Sequence, residues 1–206
     1  MKICGLKTRE EVSMAVKANA DAVGFVTEVP VDTHRDLDAG ETRELAGYTP
    51  PFISTVAVTM PEDVPEAEKI YRETGVDVLQ IHSGLDPGQV RELRQQIPAD
   101  LVRKVGSTRE AERFEEVVDA LLLDSSGEKG RGGTGEEFDR GEAAEIARKA
   151  EVPIILAGGL TPENVGEAIE DVSPDAVDVS SGVEEDGKKQ SQKIEDFVSS
   201  ARGVSP

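Results

Sequence analysis

The stretch IILAGGLTPENVGEAIEDVSPDAVDVSSG, residues 154–182, decides the fold of this chain. It contains two short apolar runs, Ile154–Ala157 and Ala176–Val179, each followed at once by small residues. Between the runs, four apolar residues recur at i, i+3, i+4 and i+7, the spacing of one helix face: Val165, Ala168, Ile169 and Val172. Thr161-Pro162-Glu163 supplies a helix N-cap, a proline at the first helical position and an early acid. The stretch therefore predicts a strand, a helix and a second strand.

The same alternation of β-branched runs and amphipathic stretches continues along the whole chain. Eight runs are predicted as strands: Lys2–Cys4, Ala22–Val26, Ile53–Val58, Val76–Ile81, Leu101–Lys104, Ala120–Leu123, Ile154–Ala157 and Ala176–Val179. Such alternation requires parallel strands joined by right-handed crossovers. Eight units in 206 residues predict an α/β fold, a single (β/α)8 TIM barrel that forms one domain over residues 1–206. A doubly wound open sheet is the alternative, but it usually has fewer strands.

Acidic residues outnumber basic ones throughout the chain. Asp and Glu total 42 against 23 Lys and Arg, which gives a net charge of −19. This charge excludes nucleic acid and anionic membrane as partners, because both require a basic surface. The acids are distributed instead of forming a tail, and aromatic residues make up only 3% of the chain. We interpret the acidic surface as halophilic, that is, adapted to concentrated salt, because the salt screens the repulsion between the acidic side chains. An ordinary acidic enzyme is the alternative.

The single cysteine indicates the compartment. One thiol gives no disulfide framework, so a reducing cytoplasm is expected. The chain has no apolar run of the roughly 18 residues that a membrane span needs, and no signal segment is recognised. We therefore expect a cytoplasmic protein that does not bind a membrane.

The carboxyl ends of barrel strands meet at one face, where such barrels build their active sites. Cys4 and Asp124 end predicted strands on opposite sides of that face. A thiol with a perturbed pKa acts as a base or nucleophile, although a lone buried cysteine also serves as a small apolar side chain. A carboxyl group at the rim of an apolar strand is partly desolvated, which suits a general acid; a helix cap or ion-pair partner is the alternative for Asp124.

Three further polar side chains are predicted near the same face. Arg35 offers a guanidinium fork for a substrate carboxylate, with a surface ion pair to Asp32 or Asp36 as the alternative. His82 follows its strand directly and either polarises the substrate or packs. Asp178 lies within an apolar run, and a buried carboxylate must find partners, so a functional position is favoured.

Small-residue loops predict a phosphate site. They are Gly130–Gly135, which includes Gly132, then Gly158-Gly159, and Ser180-Ser181-Gly182. Loops after the seventh and eighth strands are the usual phosphate site of this fold, although glycines also serve tight turns. The first loop matches G-x-G-x-x-G, but two glutamates follow it at once, so a dinucleotide site is rejected. No cluster has metal-ligand spacing, and neither a cofactor nor a metal is expected.

Seven segments, in order along nearly the whole chain, resemble the phosphoribosylanthranilate isomerase family of tryptophan biosynthesis. They are Lys2–Gly5, Asp21–Phe25, Gln80–His82, Leu122–Asp124, Gly132–Gly135 with Phe138-Asp139, Leu156–Leu160 with Pro162–Val165, and Val177–Glu184. The resemblance implies a cofactor-free Amadori rearrangement of a small phosphoribosyl substrate, N-(5-phosphoribosyl)anthranilate. It implies Asp124 as general acid and Cys4 as general base.

The resemblance also implies the binding residues. Arg35 would hold the anthranilate carboxylate, and His82 and Asp178 would line the site. Backbone amides would hold the phosphate near Gly132, Gly158, Gly159, Ser181 and Gly182.

Other functions remain open from the residues. An indole-glycerol-phosphate synthase would need a lysine acid in the barrel, for which Lys104 is available, but Cys4 would then be idle. A ribulose-phosphate epimerase would need metal-binding histidines, and the chain has two His residues in all. A catalytically inactive phosphate-binding barrel is a third possibility. The sequence leaves open whether the chain is a monomer or a homodimer.

Overall fold

A computed structural model describes residues 1–124 and 140–203 of the chain. Within these residues, eight parallel strands form a closed ring: β1 (Lys2–Ile3), β2 (Ala22–Thr27), β3 (Ser54–Thr59), β4 (Val78–Ile81), β5 (Asp100–Val105), β6 (Ala120–Asp124), β7 (Ile154–Ala157) and β8 (Ala176–Val179). The ring closes because β1 pairs with strands on both of its sides. Lys2 lies opposite Ala22 of β2 and opposite Asp178 of β8.

Eight helices of the described residues surround the ring: α1 (Arg9–Lys17), α2 (Ala39–Tyr48), α3 (Val64–Thr74), α4 (Pro87–Gln96), α5 (Thr108–Phe114), α6 (Arg140–Lys149), α7 (Val165–Val172) and α8 (Ser191–Gly203). The first five begin at a residue whose side chain accepts a backbone N–H of the first turn: Thr8, Asp38, Asp63, Asp86 and Ser107. These caps satisfy amides that the helix itself leaves without partners. None of the helices in this part of the chain is long and apolar enough to cross a bilayer.

Apolar residues fill two layers. Every second strand residue faces the helices, and there Phe25, Leu79 and Leu121 join one large core with Ile70 and Phe197. The intervening residues face the barrel interior, where two small clusters form: Cys4 with Val56 and Val58, and Val102 with Leu122 and Ala157. Apolar side chains therefore fill part of the interior, and polar side chains lie beside them toward the carboxyl ends of the strands.

The predicted barrel is confirmed, and its strands begin and end within two residues of the expected positions. β1 ends at Ile3, so Cys4 directly follows the strand. Three small elements were not predicted: a two-residue strand, Asp36–Leu37, beside β2; the 3-10 helix Ser181–Val183; and a hairpin that pairs Glu184–Glu185 with Lys188–Lys189. One domain over residues 1–206 stays a prediction, because residues 125–139 and 204–206 lie outside the described part.

Candidate active site

Cys4 lies at the mouth of the barrel, against the inner face of β2. Its backbone N–H donates to Val179 O at 2.8 Å, which fixes the residue beside β8. The side chain is 6% exposed and packs on Val56 and Val58. Gly24 makes room for it, since a Cβ at that position would lie 2.8 Å from the Cys4 Sγ. The single thiol of the chain therefore faces the interior.

The charges around Cys4 act in opposite directions on its pKa. Burial has the largest effect and raises the pKa of the thiol above its ordinary value. The Lys2 and Lys189 ammonium groups lower the pKa, whereas the Asp178 carboxylate raises it. The thiol form is thus favoured in the substrate-free protein, and the two lysines make the thiolate accessible.

Lys2 and Asp178 form a buried ion pair below the thiol. Lys2 Nζ lies 2.9 Å from Asp178 Oδ2, and the two side chains are 7% and 9% exposed. Lys2 Nζ also donates to Gln80 Oε1. Burial alone would lower the pKa of Lys2, but Asp178 and Cys4 together raise it above the ordinary value, so the ammonium keeps its charge. Asp178 thus faces the barrel interior and pairs with Lys2.

His82 follows β4 and contacts the same group. Its Nε2 lies 2.8 Å from Gln80 Nε2. Burial, with the Lys104 and Lys2 charges, lowers the pKa of His82 to about 3. His82 is therefore neutral near pH 7. Because Gln80 Oε1 already accepts from Lys2, the Gln80 NH2 group donates to His82 Nε2.

Asp124 ends β6 on the other side of the mouth, with β7 and β8 between it and β1. Its Oδ2 lies 2.8 Å from Lys104 Nζ, and its side chain is 16% exposed. Lys104 projects from β5, whose residues 102 and 104 share the inner face. The general-acid candidate is thus an ion-paired carboxylate in the substrate-free site.

Arg35 reaches the mouth from the long loop after β2, but its partner differs from the predicted ones. The guanidinium binds Glu184 through two hydrogen bonds, Nε to Oε1 at 3.0 Å and Nη2 to Oε2 at 2.6 Å. This pairing replaces the surface contact with Asp32 or Asp36 that the sequence offered. Gly5 allows the approach, because its φ is +72° and a Cβ there would lie 2.7 Å from Arg35 Cδ.

Glu184 joins Arg35 to a buried lysine. Lys189 Nζ donates to Glu184 Oε1 at 2.6 Å and to Ser180 O at 3.0 Å. Burial would raise the pKa of Glu184, but hydrogen bonds and charges from Arg35 and Lys189 lower it to about 2. The carboxylate is thus fully ionised near pH 7 and bridges two cations.

The glycines of the last two loops hold the predicted phosphate region together. Gly158 and Gly159 have φ of +88° and +62°, values that side chains other than glycine rarely adopt. A Cβ at Gly182 would lie 1.9 Å from Leu160 O, so the loops after β7 and β8 touch through backbone. Ser181 begins the short 3-10 helix Ser181–Val183. Gly132 lies outside the described residues.

Sequence reasoning missed four polar residues of the mouth: Lys2, Gln80, Glu184 and Lys189. The period of two along a strand would have revealed the first of them. Lys2 and Cys4 are two residues apart and therefore share a face. Glu184 and Lys189 carried no such signal. Each strand of their hairpin has two residues, which is too short to show a periodic pattern.

Comparison with known proteins shows one family. The model of the family described as N-(5'-phosphoribosyl)anthranilate (PRA) isomerase matches residues 1–200. The N-(5'-phosphoribosyl)anthranilate isomerase of Haloarcula marismortui is 43% identical over 204 residues, covering 98% of this chain and 95% of the relative. That of Halorubrum lacusprofundi is 40% identical over 204 residues, with the same coverages.

Solved structures give the same result. The phosphoribosylanthranilate isomerase of Thermotoga maritima superposes with a TM-score of 0.83 at 31% identity, covering 98% of both chains. A phosphoribosylanthranilate isomerase in complex with reduced 1-(o-carboxyphenylamino)-1-deoxyribulose 5-phosphate gives a TM-score of 0.81 at 30% identity, with 98% of both chains covered.

Proposed function

This chain belongs to the N-(5'-phosphoribosyl)anthranilate isomerase family, and from that premise we propose how its barrel mouth carries out the reaction. The enzyme acts in tryptophan biosynthesis. It rearranges N-(5-phosphoribosyl)anthranilate to 1-(2-carboxyphenylamino)-1-deoxyribulose 5-phosphate. The conversion of an aldose to a ketose moves protons only, so the site must supply one acid and one base.

Asp124 is the general acid. Protonation of the ribose ring oxygen opens the ring and leaves an iminium at C1′. An ion-paired carboxylate holds no proton, so this step requires that substrate binding separate Asp124 from Lys104, 2.8 Å away, and that the carboxylate take up a proton from solvent. The low exposure of the Asp124 side chain supports the assignment, because loss of the lysine in a desolvated position favours the protonated carboxyl group.

Cys4 is the general base. It removes the C2′ proton of the iminium, which gives an enolamine that tautomerises to the ketone. The thiol must lose its proton before this step, and the cations Lys2 and Lys189 favour that loss. Asp124 must hold a proton and Cys4 must lose one, so the two groups need pKa shifts in opposite directions. The mouth gives each group different neighbours.

Substrate contacts follow from the remaining polar groups. Arg35 holds the anthranilate carboxylate. In the substrate-free site, the carboxylate of Glu184 binds the Arg35 guanidinium instead. Asp178 Oδ1 is buried and has no hydrogen-bond partner among the described residues, which fits a role in receiving a ribose hydroxyl. Neutral His82 lines the same side of the mouth.

The phosphate contacts come from backbone amides. The amides of the loops after β7 and β8 surround the place where this fold binds phosphate. They are the amides near Gly158, Gly159, Ser181 and Gly182. Gly132 would add an amide from the segment outside the described residues. We infer a cytoplasmic enzyme from the single cysteine, and either a monomer or a homodimer; the Thermotoga maritima isomerase is dimeric.

The observation that carries the assignment is the position of Cys4 and Asp124 at one barrel mouth within a chain that matches the family over residues 1–200. The test follows the loss of substrate fluorescence in molar KCl with purified protein. We expect Cys4→Ala and Asp124→Asn each to lower kcat roughly 10²–10⁴-fold. Asp196→Asn, on the exposed face of α8, is the matched control and should keep the wild-type rate. Wild-type rates in both site variants would refute the mechanism.

A further inference from the structure

We propose that Lys2 is a positioning residue for the base: its ammonium, oriented by Asp178 and Gln80, stabilises the Cys4 thiolate. The proposal rests on the proposed function only for the role of Cys4 in the reaction. The geometry that carries it involves the floor of the barrel mouth, where β1, β4 and β8 contribute one side chain each.

The Lys2 ammonium has two partners on two other strands. It lies 2.9 Å from Asp178 Oδ2 and donates to Gln80 Oε1. The side chain cannot rotate without losing one of these contacts. The charge is therefore fixed in place beside the thiol.

Gly24 brings the two side chains together. A Cβ at Gly24 would lie 2.8 Å from Cys4 Sγ and 2.9 Å from Lys2 Cε, so both atoms pack over the same bare stretch of β2. The sulfur and this carbon are consequently less than about 6 Å apart. The Lys2 ammonium, one bond beyond this carbon, lowers the pKa of the Cys4 thiol.

The Gln80 amide has only one orientation that satisfies both of its contacts. Lys2 has only donors, so the Gln80 carbonyl must face it. The Gln80 NH2 group then faces the neutral His82, whose Nε2 accepts from it. Gln80 thus orients Lys2 directly, and His82 orients Gln80. Both residues influence Cys4 only through Lys2.

A purely structural role would not require this arrangement. A buried ion pair contributes little net stability compared with apolar side chains of the same volume. The charges of Lys2 and Asp178 therefore contribute little to the stability of the fold. Among the charged groups that act on Cys4, Lys2 has the largest effect; Asp178 opposes it, and Lys189 and Arg35 are the other charges near the thiol.

The test measures the titration of Cys4 directly. Because the chain has 1 cysteine, cysteine labelled with 13C at Cβ gives one NMR signal, whose shift reports thiol or thiolate. We expect Lys2→Met to raise the titration midpoint of Cys4 by about 1–3 pH units relative to wild type, in molar KCl. The acidic limb of the kcat profile should move upward with it.

Two further variants keep the test decisive. Lys2→Met leaves the Asp178 carboxylate buried without a cation. The double variant Lys2→Met/Asp178→Asn therefore replaces both members of the pair by neutral groups. The Cys4 midpoint should rise in this double variant as well, but by less than in Lys2→Met. Lys104→Met removes a lysine that pairs across the mouth with Asp124 and should leave the Cys4 midpoint in place.

The outcomes separate the two proposals. A Cys4 midpoint that stays or falls in the folded Lys2 variants overturns the role of Lys2, even if the wild type is an active isomerase. A midpoint that rises, in a protein whose Cys4→Ala variant keeps full activity, supports the coupling between Lys2 and the thiol but refutes Cys4 as the base.

Discussion

At the scale of single residues, the mouth is organised by ion pairs that the sequence did not reveal. The sequence predicted Cys4, Asp124 and Asp178 as site residues because each ends or interrupts an apolar strand. It did not identify Glu184 as the partner of Arg35, since the two are 149 residues apart and meet only in the closed ring. Charged residues look alike in sequence whether they are solvated or buried, so pairing becomes visible only with the fold.

Glu184 gives a pH-dependent prediction at this scale. Its pKa is lowered from 4.5 to about 2 by Arg35 and Lys189, so its contribution to stability is complete above pH 4.5 and disappears as the pH falls toward 2. We expect Glu184→Gln to lower the free energy of unfolding at pH 7 by about 1–2 kcal/mol, less than the full pKa shift would give, because solvent partly screens the charges. The difference from wild type should shrink between pH 4.5 and 2.

Urea denaturation at fixed KCl, at several pH values, measures this difference. Glu185→Gln is the matched control, since Glu185 is the exposed neighbour in the same hairpin, and it should change stability little. A Glu184→Gln deficit that is constant with pH would show that the loss is one of packing and not of charge.

At the scale of elements, most of the architecture was predictable from the sequence. Apolar β-branched runs located the strands, because barrel strands are buried on both faces, and the 3.6-residue period located helices, because each helix buries one face. The strand Asp36–Leu37 and the hairpin Glu184–Glu185 with Lys188–Lys189 escaped prediction. Two residues are too few to show a period, and neighbouring strands and loops decide their pairing.

The capped start of α4 gives a prediction for an element. Asp86 Oδ1 accepts from the N–H groups of Gly88 at 2.8 Å and Gln89 at 3.0 Å, and Gln89 Oε1 accepts from Asp86 N–H at 2.9 Å. We expect Asp86→Ala to destabilise the fold by about 1 kcal/mol, because two amides lose their partner. Thermal unfolding followed by circular dichroism measures the effect. Gln95→Ala, at an exposed position later in α4, should unfold at the wild-type temperature; an equal loss in both variants would contradict the capping argument.

At the scale of the whole molecule, the net charge of −19 governs the response to salt. Raising KCl from about 0.1 M to about 1 M shortens the screening length from about 10 Å to about 3 Å, which weakens repulsion between exposed acids. Exposed ion pairs such as Arg9–Glu44 weaken too, but each contributes little. We therefore expect the melting temperature to rise over this range. Sucrose at equal osmolarity does not screen charge and should raise it less; a melting temperature that stays constant or falls in KCl would contradict the halophilic interpretation.

The barrel brings all of these features to one face, and the central claim concerns the proton transfers that occur there. The most direct measurement separates chemistry from binding in Cys4→Ala. It determines kcat with N-(5-phosphoribosyl)anthranilate and, by calorimetry, the Kd for the reduced product analogue. We predict a kcat lowered at least about 10²-fold with a Kd unchanged within about threefold, because the thiol acts in the transition state and not in binding. An unchanged kcat, or a loss of activity explained by a weakened Kd, would contradict Cys4 as the base.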